Sequence, residues 1–255
     1  MKVLITNDDG IYSKGIYALY EAFSEVADVT IVAPITEQSA VGHAITVTLP
    51  LRMYEVYRKD KFFGYGVNGT PADCVKLAFS DILTTKPDLV VSGVNKGANL
   101  ASNVIYSGTV SAATEGAMMG VSSIAVSLAS IEFDDYSVAA DFALFFAKKL
   151  LKSKETKETV WNINIPPLKK KDIKGWRYAI QGKTKYLDTF EKRVDPRGNT
   201  YYWLTGEKIL VKTTEESDDF LLQKGYITAT PIKYDLTDYE LYKNIVKEDI
   251  NYEDF

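Results

Sequence analysis

The sequence predicts an α/β protein: a mostly parallel sheet with helices on both faces, an antiparallel extension, a projecting hairpin and a C-terminal helix. Three observations carry this. Over the first two thirds, short β-branched runs alternate with amphipathic segments, the pattern of right-handed strand–helix–strand crossovers. Residues 44–67 switch to period-two alternation, as in Ile45-Thr46-Val47-Thr48-Leu49 and Met53-Tyr54-Glu55-Val56-Tyr57. After Pro167 the composition shifts to a lysine-rich stretch and then to aromatic residues flanking a turn. The whole reads as a Rossmann-like three-layer arrangement, with residues 1–167 as the core and residues 168–255 completing the same domain.

In chain order, residues 2–6 read as a strand. Residues 16–25 read as a helix, with apolar spacing at Ile16, Leu19, Tyr20 and Phe23. Residues 29–33 form a second strand, stopped at Pro34. Thr70-Pro71-Ala72-Asp73 has the form of a helix start: Thr caps, Pro occupies the first helical position and Asp the third. That helix continues through Val75, Leu77, Ala78 and Ile82. Leu89-Val90-Val91 is a strand leading into the loop Ser92-Gly93-Val94-Asn95-Lys96-Gly97-Ala98-Asn99. Residues 110–119 are helical and rich in small side chains, 124–128 a strand, 141–151 a helix, and 160–165 a last strand before Pro166-Pro167. Trp176, Tyr178, Tyr186, Tyr201, Tyr202 and Trp203 flank the turn Asp195-Pro196-Arg197-Gly198-Asn199, which predicts a hairpin. A lone hairpin is marginal in water, so aromatic arms of this kind call for a second subunit. Residues 237–246 read as an amphipathic tail helix.

Composition excludes several functions. The chain has 255 residues, 46% hydrophobic and 25% charged, with a net charge of −4. That balance gives no general grip on a nucleic-acid polymer or an anionic membrane. One cysteine, Cys74, and one histidine, His43, exclude an internal disulfide and argue against a Cys/His zinc site. A bound metal would be a hard ion served by oxygen ligands. The first strand begins at once and no apolar run approaches the ~20 residues of a membrane span, so a cytoplasmic location is expected.

Four segments could carry chemistry. Asn7-Asp8-Asp9-Gly10 follows the apolar run Val3-Leu4-Ile5, and ligands of open α/β sheets bind beyond such strand ends. Adjacent carboxylates there repel each other unless a cation or proton holds them; a turn with one Asp as a cap is the bland alternative. Ser39, after the second strand, offers a hydroxyl, although alone it reads as a turn residue. In the third loop, Asn95 supplies a neutral carbonyl oxygen and Lys96 a cation. In the fourth, Ser107-Gly108-Thr109 opens a helix and suits a phosphate, while capping explains either hydroxyl but not the Gly between them. His43 is a candidate acid or base, or a hydrogen-bonded structural residue. Cys74 reads as core packing.

Taken together these segments resemble the SurE family, the survival-protein nucleotidases. The matching stretches are Ile5-Thr6-Asn7-Asp8-Asp9-Gly10, Ser39 with His43, Gly69-Thr70-Pro71-Ala72-Asp73, the loop from Ser92 to Asn99, and Tyr106-Ser107-Gly108-Thr109-Val110-Ser111-Ala112-Ala113 with Glu115-Gly116. The resemblance implies a divalent-metal-dependent phosphatase for nucleoside 5′- and 3′-monophosphates, with short polyphosphate as a further candidate substrate. It implies one Mg²⁺ or Mn²⁺ per subunit on Asp8, Asp9, Ser39 and Asn95. Asp8, Asp9 and Asn95 would serve catalysis; Ser107, Gly108, Thr109 and Lys96 would bind phosphate. It also implies homodimers or homotetramers built through the hairpin and C-terminal segment. Asn103 stands where the family pattern is usually acidic. Two other readings are a dinucleotide oxidoreductase, which the absence of Gly-x-Gly-x-x-Gly after the first strand opposes, and a non-catalytic interaction protein.

Overall fold

The computed structural model describes residues 1–153, 158–209 and 214–246. Strand β1 (Lys2–Thr6) pairs in parallel with β2 (Asp28–Pro34) on one edge and β5 (Leu89–Lys96) on the other. A strand with partners on both edges and helices on both faces has no wet side, which is why Val3 to Thr6 are all buried. The parallel ladder continues from β5 to β6 (Ser122–Leu128) and β7 (Val160–Ile165). On the other side, β2 pairs in parallel with β4 (Lys61–Val67), which is antiparallel to β3 (Met53–Arg58). Beyond β7, the sheet ends with β11 (Ile227–Ile232), antiparallel to β7, and β8 (Trp176–Tyr178). The resulting order is β3-β4-β2-β1-β5-β6-β7-β11-β8. The chain runs outward from β1 to β2 and later returns to β5 on the opposite edge. Between the carboxyl ends of β1 and β5 lies the topological switch point, where such sheets open a crevice.

Period-two geometry sends alternate residues of each central strand to opposite faces. Val3 and Ile5 of β1 meet α1 (Lys14–Ser24) and α4 (Ser137–Lys152) in a core with Leu19, Phe23 and Phe146. Leu4 faces the other side, with Val75 of α2 (Pro71–Leu77) and Ala112 of α3 (Gly108–Met118). Burial of Phe23 or Phe146 contributes about 2–3 kcal/mol each. Helix α3 is buried almost throughout, and its Ser, Ala and Gly side chains let it lie close against β5 and β6. Helix α2 starts as expected: Thr70 and Asp73 form a reciprocal capping box with Pro71 inside it.

Several elements differ from the expectation. Ile45 to Leu49 do not form a strand; Ile45, Val47 and Leu49 are exposed, and the segment is a loop tied down where Thr46 bonds Asp73. Alternation alone cannot distinguish an edge strand from an extended loop when no partner edge is free. Strand β5 runs on through the expected loop to Lys96, with its register to β6 slipping between Ser92 and Asn95. Pro34 lies inside β2: its carbonyl accepts from Ile11 at 2.8 Å, and the strand end needs no donor there. The hairpin exists as β9 (Lys185–Val194) and β10 (Thr200–Ile209), a separate two-stranded sheet. Trp176 and Tyr178 are not in its arms. They form β8 and stack among Phe142, Phe146 and Trp161. The short helix α5 (Asp218–Gln223) and strand β11 were not anticipated. The tail helix α6 spans Tyr239–Ile245, capped by Asp238. Of the C-terminal region, residues 210–213 and 247–255 lie outside the described residues.

Candidate active site

The crevice is assembled by the ends of β1, β2 and β5 and by the start of α3. Just past β1, the Asn7 amide donates to the Gly10 carbonyl at 2.9 Å and to Ser13 Oγ at 2.8 Å, closing the turn that leads into α1. With Asn7 so occupied, the next two side chains project into the crevice. Asp8 is buried, and its carboxylate accepts the Thr109 N–H at 3.0 Å and the Thr109 hydroxyl. Asp9 accepts the Lys96 N–H at 2.9 Å. The first pair of acids therefore joins the β1 end to the start of α3 and to the end of β5. Gly108 explains itself here. A Cβ on it would lie 2.9 Å from Asp8 Cβ and 3.0 Å from Pro71 Cγ, so only glycine lets the helix start press against the Asp8 side chain.

Burial raises the Asp8 carboxyl above its ordinary range. Burial, followed by the charge of Asp8, pushes Asp9 up to about 6, with the Lys96 N–H and ammonium pulling the other way. The charge of Glu37, exposed on the loop after β2, raises both further. Glu37 was missed in the sequence; an acid just past the second parallel strand of the same sheet was the available signal. Adjacent carboxylates repel one another, and a cation relieves that repulsion directly.

Ser39 is exposed, and its hydroxyl donates to Glu37 Oε1 at 2.5 Å. The loop that carries it is nevertheless laid on the β1 end, because the Gln38 N–H donates to the Asp8 carbonyl at 2.8 Å. Asn95 is half-buried and its amide nitrogen donates to the Gly97 carbonyl at 2.8 Å, which commits the NH₂ and leaves the carbonyl oxygen as its acceptor. Lys96 meets Asp9 through its backbone; its side chain is exposed. Ser107 caps α3, accepting from Val110 N–H at 3.1 Å and keeping its own proton for another partner. The Thr109 hydroxyl is engaged by Asp8, so this residue serves the carboxylate first.

The donor set fits a hard divalent ion. Asp8, Asp9 and the Asn95 carbonyl are all oxygen donors, with buried Asp8 and half-buried Asp9 both lifted toward neutrality, chiefly by burial. Among the described residues no group of three or more His, Cys, Asp or Glu is arranged to hold a metal. An ion here would complete its shell with neutral oxygens and water.

His43 is bonded to a different acid, Glu115. Its Nε2 is 2.8 Å from Glu115 Oε1, and Lys76 Nζ is 3.0 Å from Glu115 Oε2. Burial pushes Glu115 up, but His43 and Lys76 outweigh it and hold this buried carboxylate below its usual range. The geometry makes His43 a tether between its loop and α3. Cys74 is buried and its thiol is pushed well up by burial, consistent with packing. Asn103 is half-buried in the 3₁₀ segment Ala101–Tyr106, its N–H donating to the Leu100 carbonyl at 3.0 Å.

Comparison with known proteins identifies the family. The family model described as "Survival protein SurE" matches residues 3–188. A 5′-nucleotidase SurE of Syntrophobacter fumaroxidans is 48% identical over 247 residues, covering 97% of this chain and 99% of the relative. That of Syntrophus aciditrophicus is 50% identical over 241 residues, covering 94% and 91%. The crystal structure of a SurE protein from Aquifex aeolicus superposes with a TM-score of 0.83 at 40% identity, covering 97% of this chain and 100% of the other. On a match in sequence and fold over nearly the whole chain, the chain belongs to the SurE family.

Proposed function

We propose that this chain is a hydrolase of nucleoside 5′- and 3′-monophosphates, a 5′-nucleotidase that uses one Mg²⁺ or Mn²⁺ per subunit. The observation that carries this is the convergence of Asp8 and Asp9 at the switch point. Asp8 is bonded to the start of α3 and Asp9 to the end of β5. Family membership implies the divalent metal, and the oxygen-only donor set suits it. Short polyphosphate belongs to the same chemistry as a further substrate.

Asp8, Asp9, Asn95 and, after its hydroxyl leaves Glu37, Ser39 would hold the ion. When bound, such an ion supplies positive charge to a phosphate oxygen and acidifies coordinated water. The chain's own groups do the rest. The Gly108 N–H and the Ser107 hydroxyl, at the positive end of α3, receive the remaining phosphate oxygens. The exposed Lys96 ammonium adds charge at the rim. Thr109 keeps the Asp8 carboxylate from rotating. Because Asp8 already accepts two bonds from Thr109, attack by Asp8 on phosphorus would break that clamp; water is the better nucleophile. Positioning and charge neutralisation then carry the rate.

The subunits of this reading assemble as a homodimer or homotetramer in the cytoplasm, with no membrane or nucleic-acid partner. Support comes from the hairpin, whose Leu187, Phe190, Val194, Tyr202, Trp203 and Leu204 are exposed on a two-stranded sheet. Among the described residues, no helix is long and apolar enough to cross a membrane. The test is phosphate release from a panel of nucleoside monophosphates with EDTA, then with Mg²⁺ or Mn²⁺ restored. Metal-dependent release is expected; no release from any of them would overturn the reading.

A further inference from the structure

The approach to Ser107 is held by residues far along the chain. Ala101 opens the segment Ala101–Tyr106 that ends at Ser107, and it does so with φ of +50°. A residue bearing a Cβ stays in this left-handed region only where its surroundings over-determine it. Here both of its peptide groups are gripped from the C-terminal third. Gln181 Nε2 donates to the Ala101 carbonyl at 2.7 Å, and Asp218 Oδ2 accepts the Ala101 N–H at 3.4 Å. Ser102 Oγ donates to the Thr184 carbonyl at 3.4 Å.

The gripping residues are themselves braced. Asp218 Oδ1 accepts from Gly182 N–H at 2.9 Å and Asp219 N–H at 2.7 Å. Asp219 accepts the Thr184 hydroxyl and the Ser217 hydroxyl, the latter at 2.5 Å. Two residues upstream, Asn99 is fixed from the sheet side by the side chains of Asn164, Ser127 and Asn162 at 2.8–3.0 Å. The chain between the end of β5 and the start of α3 therefore has one anchor in the sheet and one in the C-terminal region. Only the second anchor acts on the left-handed residue.

We propose that Gln181 and Asp218 are positioning residues for phosphate binding: they hold Ala101 left-handed and so aim the 101–106 segment that presents Ser107 and Gly108. This rests on the reading of Ser107 and Gly108 as the phosphate-binding start of α3. Neither residue needs to touch substrate; each acts through the Ala101 backbone.

The test uses the full chain carrying Gln181→Ala, Asp218→Asn, Ala101→Gly, and Ala101→Gly combined with each of the other two. Readouts are KM and kcat for a nucleoside monophosphate, the inhibition constant of inorganic phosphate, and Tm. Gln181 is exposed, so its truncation leaves folding intact, and Asp218→Asn keeps the side-chain volume. Each single variant is expected to raise KM and the phosphate inhibition constant about tenfold, with kcat changed less. Ala101→Gly alone is expected to stay within about twofold, and to recover most of the loss in combination, because glycine adopts this φ without a clamp. Unchanged phosphate inhibition in both single variants, or a loss that Ala101→Gly deepens, would overturn the proposal. Ser107→Ala separates the two levels. If it leaves phosphate inhibition unmoved, the phosphate-site reading falls and takes this inference with it. If it weakens inhibition while Gln181→Ala and Asp218→Asn do not, the positioning inference falls alone.

Discussion

The chain contains two adjacent acid pairs in buried surroundings, Asp8-Asp9 and Asp218-Asp219, and they behave differently. In each pair burial is the largest influence and lifts one carboxyl, Asp9 or Asp218, to about 6. The partners diverge. Burial also pushes Asp219 up, but the hydroxyls of Ser217 and Thr184 and the Phe220 N–H outweigh it and bring that carboxyl below its usual range. Asp8 stays raised despite its bonds to Thr109, with Glu37 adding to the repulsion. The second pair is thus answered by neutral donors from its own neighbourhood, and it serves as a strut. The first also feels the charge of Glu37, and the Lys96 ammonium does not offset its burial and repulsion. Identical dipeptides become a brace or a cation site according to what the fold brings against them.

The strongest way to break this contrast is to neutralise the first pair. Asp8→Asn or Asp9→Asn is expected to lower phosphate release by about 10²–10³-fold or more, by analogy with removal of a preorganised electrostatic group. The metal-free Tm should stay level or rise, since a buried charge is gone. Asp219→Ala should instead appear as lost stability, about 1–3 kcal/mol by denaturant unfolding, because it strands buried donors. Equal Tm losses in both pairs would erase the distinction.

The pH dependence sharpens it. Asp9 and Asp218 both have folded-state values near 6, above the unfolded value of about 3.9. A raised carboxyl contributes stability that is complete below the unfolded value and is lost as pH rises through the folded one. The metal-free protein is therefore expected to lose on the order of 2 kcal/mol per group between pH 4 and pH 7. Added Mn²⁺ should restore the Asp9 share and leave the Asp218 share. Asp218→Asn should flatten the metal-insensitive slope, and Asp9→Asn the metal-sensitive one. Thermal melts across that range, with and without the ion, decide it.

A smaller effect concerns the buried acid of α3, Glu115. His43→Gln removes one of two partners from Glu115 and should cost about 1–2 kcal/mol in stability, with kcat within a few-fold of the parent. A hundredfold loss of kcat at unchanged Tm would move His43 into the chemistry. The smallest expected change is Thr70→Ala, about 1 kcal/mol from the capping box of α2, read as a modest drop in Tm. It touches neither acid pair and calibrates the others.

Much of the core was legible because its signals are local. Buried parallel strands read as apolar runs, and the α2 start reads as Thr-Pro-x-Asp, since these residues satisfy their own backbone. The extended Ile45 to Leu49 loop was misread because alternation records exposure and says nothing of a pairing edge. Trp176 and Tyr178 were placed in the hairpin because aromatic content carries no address; their contacts with Phe142, Phe146 and Trp161 are long-range. Strand β11 was invisible as the antiparallel closing partner of β7, since a register set across more than sixty residues leaves no local trace.

The same division holds in the site. Sequence alone determined the order of the loops, the acids past the first strand, and the oxygen-only chemistry that one histidine and one cysteine leave open. Tertiary structure decided that Asp8 is bonded to Thr109, that Glu37 joins the acids, that His43 is bound to Glu115, and that Gly108 is glycine because Asp8 lies against it. Strand ends and helix caps arise within a few residues. Burial, repulsion and shared hydrogen bonds exist only between segments that the sheet has already brought together.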